Sequence, residues 1–145
     1  MMKIQPTYDD ANLILRLYEL RREPRLRDAR RWMAGIAPFT SREQWLNVCP
    51  PGSEENASYR MVTTYWDMAA SLVVNGILNR ELFYRSNNTE LLLVWEKVKG
   101  LVPELRAASK NPLALKNLEE AALPFIEYLN QNAPGYYETW TAKKK

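Results

Sequence analysis

Apolar side chains recur every three or four residues along nearly the whole chain, and no stretch alternates singly as a half-buried strand does. In DDANLILRLYELRR, Leu13, Leu17 and Leu20 fall at i, i+4 and i+7, with Ile14 and Tyr18 beside them and Asn12, Arg16 and Glu19 opposite. Thr7 is placed to cap this helix, with Asp10 three residues on. Glu23-Pro24 ends it, because the residue before proline avoids the α region. Pro24 opens a second helix to about Ala34, with Gly35 as its stop and Leu26, Ala29, Met33 and Ile36 as its inward stripe. Ser41 and Gln44 have capping-box spacing and predict a short third helix.

Pro50-Pro51-Gly52-Ser53 is the clearest loop. Beyond it, Ala57–Asn75 predicts a long central helix with a broad stripe of Val62, Tyr65, Trp66, Ala69, Leu72 and Val73 and a narrow polar line of Arg60, Thr64, Asp67 and Ser71. Asn75-Gly76 stops it, and Asn79 caps the short helix NRELFYR. In TELLLVWEKVKGLVPELRAASK, Leu91, Trp95, Val98, Val102 and Leu105 share a face, and Gly100 with Pro103 predicts a kink or break. Asn111-Pro112 reads as the start of the last long helix, lined by Leu115, Leu118, Ala122, Phe125 and Leu129. The closing NAPGYYETWTAKKK has no helical period and reads as a tail.

These elements predict an all-α fold, a compact helical bundle of four long helices and two or three short ones. The expectation is one domain over 1–145: arginine-rich helices at 7–48, a loop at 50–56, a helical body at 57–131 and an aromatic and basic tail at 132–145. A chain of 145 residues, 46% hydrophobic and 26% charged, suits one folded core of that size. Met68–Val74, its longest nearly uncharged apolar run, is far short of the roughly 20 residues a membrane-spanning helix needs. The N-terminal MMKIQPTYDD has no apolar leader segment, and the single Cys49 cannot form a disulfide within the chain. Both point to the cytoplasm.

The net charge of +3 conceals a division. Residues 21–31 hold six arginines against Glu23 and Asp28, and Lys143–Lys145 close the chain. The rest holds 11 basic and 15 acidic side chains, so two basic patches sit on an acidic body. Arg21, Arg22, Arg25, Arg27, Arg30 and Arg31 are therefore the candidate contact for an acidic partner or anion, because guanidinium forks bind carboxylate and phosphate bidentately. Nucleic acid is disfavoured: no glycines interleave the arginines, and AASLVVNGILNRELFYR fits a helix–turn–helix poorly, with Leu72 where a small residue belongs.

Catalytic and cofactor chemistry find little support. There is no histidine, which removes His-based triads, proton shuttles and the usual zinc and haem ligand sets. The five glycines are scattered, so no phosphate loop exists. No cofactor or metal is expected. The carboxylates on or near apolar faces are Glu19, Asp67, Glu81, Glu96 and Glu119. Of these Asp67, beside Trp66 and within reach of Arg60 or Arg106, is the one whose ionisation burial or pairing would most alter. Tyr18, Tyr65, Trp66, Asp67 and Trp95 form a candidate cavity lining, against the plainer reading that they are core. Tyr136, Tyr137 and Trp140 form a candidate tail contact, either folding back over a groove or entering another subunit.

Three segments, LYELRREPRLRDARRW, YWDMAASLVVNGILNRELFYR and VWEKVKGLVPELR, resemble a family of bacterial helical domains known only as a domain of unknown function. The shared elements are the Trp66-Asp67 pair, the N-G-x-L turn after it, and a later helix bearing Trp95, Lys97, Pro103 and Arg106. The resemblance implies an all-helical domain, often preceded in its members by membrane helices, and implies no activity. The expectation is thus a non-enzymatic protein-interaction domain that meets another protein or itself. A small-ligand or anion-binding domain comes next, and a nucleic-acid-associated protein after it.

Overall fold

The computed structural model describes residues 4–144, and side chains as far as residue 142. Nine α-helices and no strand occur among them: α1 (Tyr8–Arg21), α2 (Pro24–Gly35), α3 (Arg42–Val48), α4 (Glu54–Val74), α5 (Arg80–Arg85), α6 (Glu90–Val98), α7 (Val102–Ser109), α8 (Lys116–Asn132) and α9 (Tyr136–Lys144). Four are long and five short. The short ones outnumber the expectation because 89–110 breaks in two and because the tail is helical.

The 21-residue α4 is the axis, packed mainly against α8 on one side and α2 on the other, with α6 against α8. Its stripe is buried apart from Leu72, which is partly so, with Trp66, Ala69 and Ala70 sealed from solvent. Phe83, Leu91, Leu92, Leu101, Leu118 and Phe125 complete the centre. Each such side chain contributes about 1.5–3 kcal/mol by leaving water. Tyr84 stacks flat on Phe125 with ring centres 4.3 Å apart.

Local signals place most helix ends. Thr7 and Asp10 form the reciprocal box that starts α1. Gly76 adopts φ +74, which lets the amides of Ile77 and Leu78 return to the Leu72 carbonyl at 2.9 Å and closes α4. At Ser41 the box is displaced: its hydroxyl accepts from Gln44 N, but the Gln44 amide oxygen takes the N–H of Thr40. The break between α6 and α7 falls at Gly100, where a Cβ would meet the Phe39 carbonyl oxygen at 2.5 Å. Phe39 N donates to Lys97 O just before it (2.8 Å), so two backbones touch there and only glycine fits.

Four expectations need correction. α4 begins at Glu54, three residues early, because Ser53 caps it by accepting from Asn56 N. α8 begins at Lys116 and not after Asn111, whose side chain instead closes a local turn onto Leu113 N (3.0 Å). Residues 136–144 are helix. α1 is also rotated from its expected pose. Leu20 and Tyr18 are 39% and 52% exposed, while Asp10, Leu17 and Arg21 are buried. Two polar side chains take the inward arc because each finds partners inside.

Candidate functional site

The six arginines part company at the α1–α2 corner. Arg21, on the last turn of α1, is 7% exposed. It donates to Asn88 Oδ1 at 3.0 Å and lies 5.3 Å from the Trp66 ring centre and 5.7 Å from that of Tyr18. Asn88 is held in turn through Nδ2 to Phe83 O (2.9 Å).

Arg30, on α2, meets Glu90 at the head of α6 with a two-pronged contact, Nε at 2.8–3.1 Å and Nη2 at 2.9 Å. Its Nη1 reaches the Arg21 carbonyl (3.1 Å) and so closes the end of α1. Glu90 Oε2 also accepts from Trp66 Nε1 at 3.0 Å. The Glu90 hydrogen bond raises the proton affinity of Arg30 further, so this guanidinium stays charged. Nearby, Tyr65 OH donates to Leu17 O at 2.7 Å, and burial pushes its phenol up to about 12. Charge and hydrogen-bonding capacity in this cluster are spent on joining α1, α2, α4 and α6.

Arg22, Arg25, Arg27 and Arg31 remain in solvent. Arg22 lies 5.7 Å from the Tyr18 ring centre, and Arg31 leans toward Asp28 at 3.6 Å, both side chains more than three-quarters exposed. Arg25 and Arg27 have no ion pair among the described residues. Of the acids nearest them in sequence, Asp28 faces Arg31, and Glu23 is engaged as the cap of α2, accepting from Leu26 N at 3.0 Å.

Asp67 is a structural carboxylate. Its two oxygens accept from Leu118 N (2.9 Å) and Asn117 Nδ2 (3.3 Å), so it caps α8 from the side of α4. Neither arginine considered for it arrives: Arg106 binds Ala114 O (2.9 Å) and Glu119 (3.2 Å). Asp67 borders an open groove of about 450 Å³ with Tyr59, Arg60, Thr63 and Leu115. Tyr65 borders a different one, with Leu20, Leu26, Met61 and Met68. Trp66 is sealed in the core, its ring edge-on to Tyr65, and Trp95 is buried at 6%. With Tyr18 in solvent, the five candidate cavity residues do not share one space.

The other carboxylates singled out are also engaged. Glu119 holds Arg106 and Lys116. Burial raises its pKa, but the hydrogen bond from Lys116 and the two cations outweigh that and hold it below the ordinary value. Glu96 meets Lys99 at 2.6 Å, Glu81 meets Arg85 at 3.8 Å and Glu19 meets Arg16 at 4.0 Å. Cys49 is fully buried, and burial with the nearby Glu55 charge raises its thiol to about 11. Among the described residues no three His, Cys, Asp or Glu side chains are grouped to hold a metal ion. No described helix is long and apolar enough to cross a membrane.

The aromatic tail docks on its own chain. α9 lies on α8, and Trp140 and Thr141 close a pocket of about 200 Å³ with Pro38, Leu93, Glu96, Lys97 and Lys99. Tyr137 is half-buried against Trp140 (5.7 Å between ring centres), while Tyr136 is 47% exposed. The Lys143–Lys145 side chains, the second basic patch, lie outside the described residues.

The roles of two key residues escaped the sequence reading. Glu90 looks like a first-turn acid suited to a helix dipole, yet it is the carboxylate that organises the corner. Lys97 is 3% exposed and donates to the Ala34 and Ile36 carbonyls at the end of α2. Its signals were a charge, next to Glu96, inside the otherwise apolar run Leu91–Val98, and its place in the family resemblance.

A family model described as "Domain of unknown function (DUF4760)" matches residues 6–125. The chain belongs to this family. No curated protein and no solved structure matches it. The DUF4760 segment spans α1 to the middle of α8 and so contains the entire arginine corner, while α9 follows it. Trp66, Asp67, Lys97 and Arg106, which carried the resemblance, all serve in this DUF4760 chain to hold one helix to another.

Proposed function

We propose that this DUF4760 chain is a non-enzymatic, cytoplasmic protein-interaction domain whose contact surface is the solvent side of the α1–α2 corner. The observation that carries the reading is the sorting of the arginines. Arg21 and Arg30 are consumed internally, but Arg22, Arg25, Arg27 and Arg31 stand exposed, and Arg25 and Arg27 lack an acidic partner among the described residues. Exposed guanidinium forks suit carboxylates bidentately, so the partner is an acidic protein surface. The engagement of Asp67 and Glu119 with structural partners supports the non-enzymatic part.

The test is affinity capture from lysate of the source cells, with the wild type and an Arg25/Arg27/Arg31→Ala variant of unchanged circular dichroism. An acidic protein retained by the wild type, lost with the variant, weakened by salt and indifferent to nuclease is the expected result. Recovery abolished by nuclease would transfer the rim to nucleic acid. Equal capture by both proteins would remove the rim from the function.

A further inference from the structure

The rotation of α1 leaves a second apolar row on its outside. Tyr8, Ala11, Leu15, Tyr18 and Arg22 are spaced three, four, three and four residues apart, the a/d spacing of a coiled-coil seam. All five are exposed, Tyr8 at 91%, Leu15 at 59% and Tyr18 at 52%. None is needed by the core, because the inward arc is filled by Asp10, Leu13, Ile14, Leu17 and Arg21. Two tyrosines and an arginine in line match the composition of interface hot spots, and the exposed leucine among them adds apolar area that a wet helix face does not need.

We infer that this face pairs with the same face of a second copy of the chain, antiparallel, about a twofold axis at Leu15. The row is nearly symmetric about that residue, with Tyr8 seven positions before it and Arg22 seven after. In an antiparallel pair Leu15 meets Leu15, the small Ala11 receives Tyr18, and Tyr8 receives Arg22. Arg22 already lies against a tyrosine ring in its own chain, 5.7 Å from the centre of Tyr18, so the contact to Tyr8 repeats a chemistry it uses. At the border of the row Asn12 comes opposite Glu19, an amide against a carboxylate.

The helix ends select the direction. Asp10 and Arg21 lie on the inward arc and are engaged there, which leaves Arg22, the exposed C-cap of α1, as the charge on the row. An antiparallel pair opposes the two helix dipoles favourably. A parallel pair would bring Arg22 against Arg22. The same patch serves both copies, as a closed twofold requires. A seam of one helix is smaller than a standard interface, so the dimer is concentration-dependent. This deepens the protein-contact reading but uses the outer face of α1 and shares only Arg22 with the rim, so the Arg25/Arg27/Arg31→Ala variant tells the two apart.

Sedimentation velocity of the full chain over a concentration series into the high micromolar range reads the dimer directly. The dimer should grow with concentration and vanish in Leu15→Lys and in Tyr18→Lys, both keeping the wild-type circular dichroism. Arg25/Arg27/Arg31→Ala should still dimerise, which separates this proposal from the rim. Single cysteines report the register, since buried Cys49 does not compete. Under mild oxidation Leu15→Cys links to itself, Tyr8→Cys does not, and Tyr8→Cys mixed with Arg22→Cys gives the mixed dimer. A monomer at every concentration, or a dimer indifferent to Leu15→Lys, overturns the proposal. Self-linking of Tyr8→Cys as efficient as that of Leu15→Cys overturns the antiparallel arrangement.

Discussion

Arg27 and Arg30 sit three residues apart on α2, which turns them about 60° from each other around the helix. That turn separates a guanidinium in water from one forked onto Glu90 beneath the Trp66 indole. Removing one partner of such a contact leaves the other poorly solvated, and that loss exceeds the net gain of the pair. Glu90→Ala should therefore lower stability by about 2–4 kcal/mol, read as the urea midpoint at unchanged slope. Arg30→Lys should recover little of the function of arginine there, because an ammonium cannot span both oxygens. Asp10 gives the pH dependence. Hydrogen bonds from the backbone of Thr7 and then Asn79 hold its carboxyl below the ordinary 3.8. A depressed folded pKa means stability present above the unfolded value and lost as pH falls through the folded one. Thermal melts below about pH 4 should therefore decline more steeply for the wild type than for Asp10→Asn. Parallel curves would show that Asp10 contributes nothing there.

At the scale of elements, most ends set by neighbours in sequence were legible, the Ser53 cap of α4 excepted, and those set from a distance were not. Thr7, Asn79 and Gly76 do what their local patterns announce, and Ser41 caps α3 without the reciprocal bond from Gln44. α8 is the contrary case: its cap is Asp67, 51 residues away, and no short-range rule finds it. Asp67→Ala should cost about 1 kcal/mol, the usual worth of a side-chain cap. It should also speed amide exchange at Leu118 before other α8 sites. The α6–α7 break is legible as Gly100 and Pro103, but its purpose appears only where Phe39 touches Gly100. Gly100→Ala should destabilise by about 1–3 kcal/mol, since backbone and not a flexible side chain would have to move. α9 went unread because only Tyr137, Trp140 and Thr141 carry its inward face, too few positions to establish a period. Its partners Pro38 and Leu93 are remote in sequence.

For the whole molecule, the core is built without α9: no residue of 136–142 is among the fully buried ones. Truncation after Asn132 should thus leave a helical, cooperatively unfolding protein with a lower melting temperature and increased dye binding where Leu93 is uncovered. Loss of cooperative unfolding would make α9 part of the core in energetic terms. The same view orders the functional surfaces. The acidic body neutralises the arginines it can reach, Glu90 taking Arg30 and Glu119 taking Arg106. The rim of α2 and the outer row of α1 stay exposed.

The sequence by itself determined the helical class, most helix starts and stops, the central place of α4 and the absence of histidine. Those follow from periodicity, from caps within four residues, and from composition, all of which are local. Only the tertiary structure decided the rotation of α1, the inward turn of Arg21 and Arg30, the structural service of Asp67 and the docking of α9. Each depends on which distant group lies opposite, and an amphipathic helix with apolar residues on two sides carries no local signal for which side the core will take.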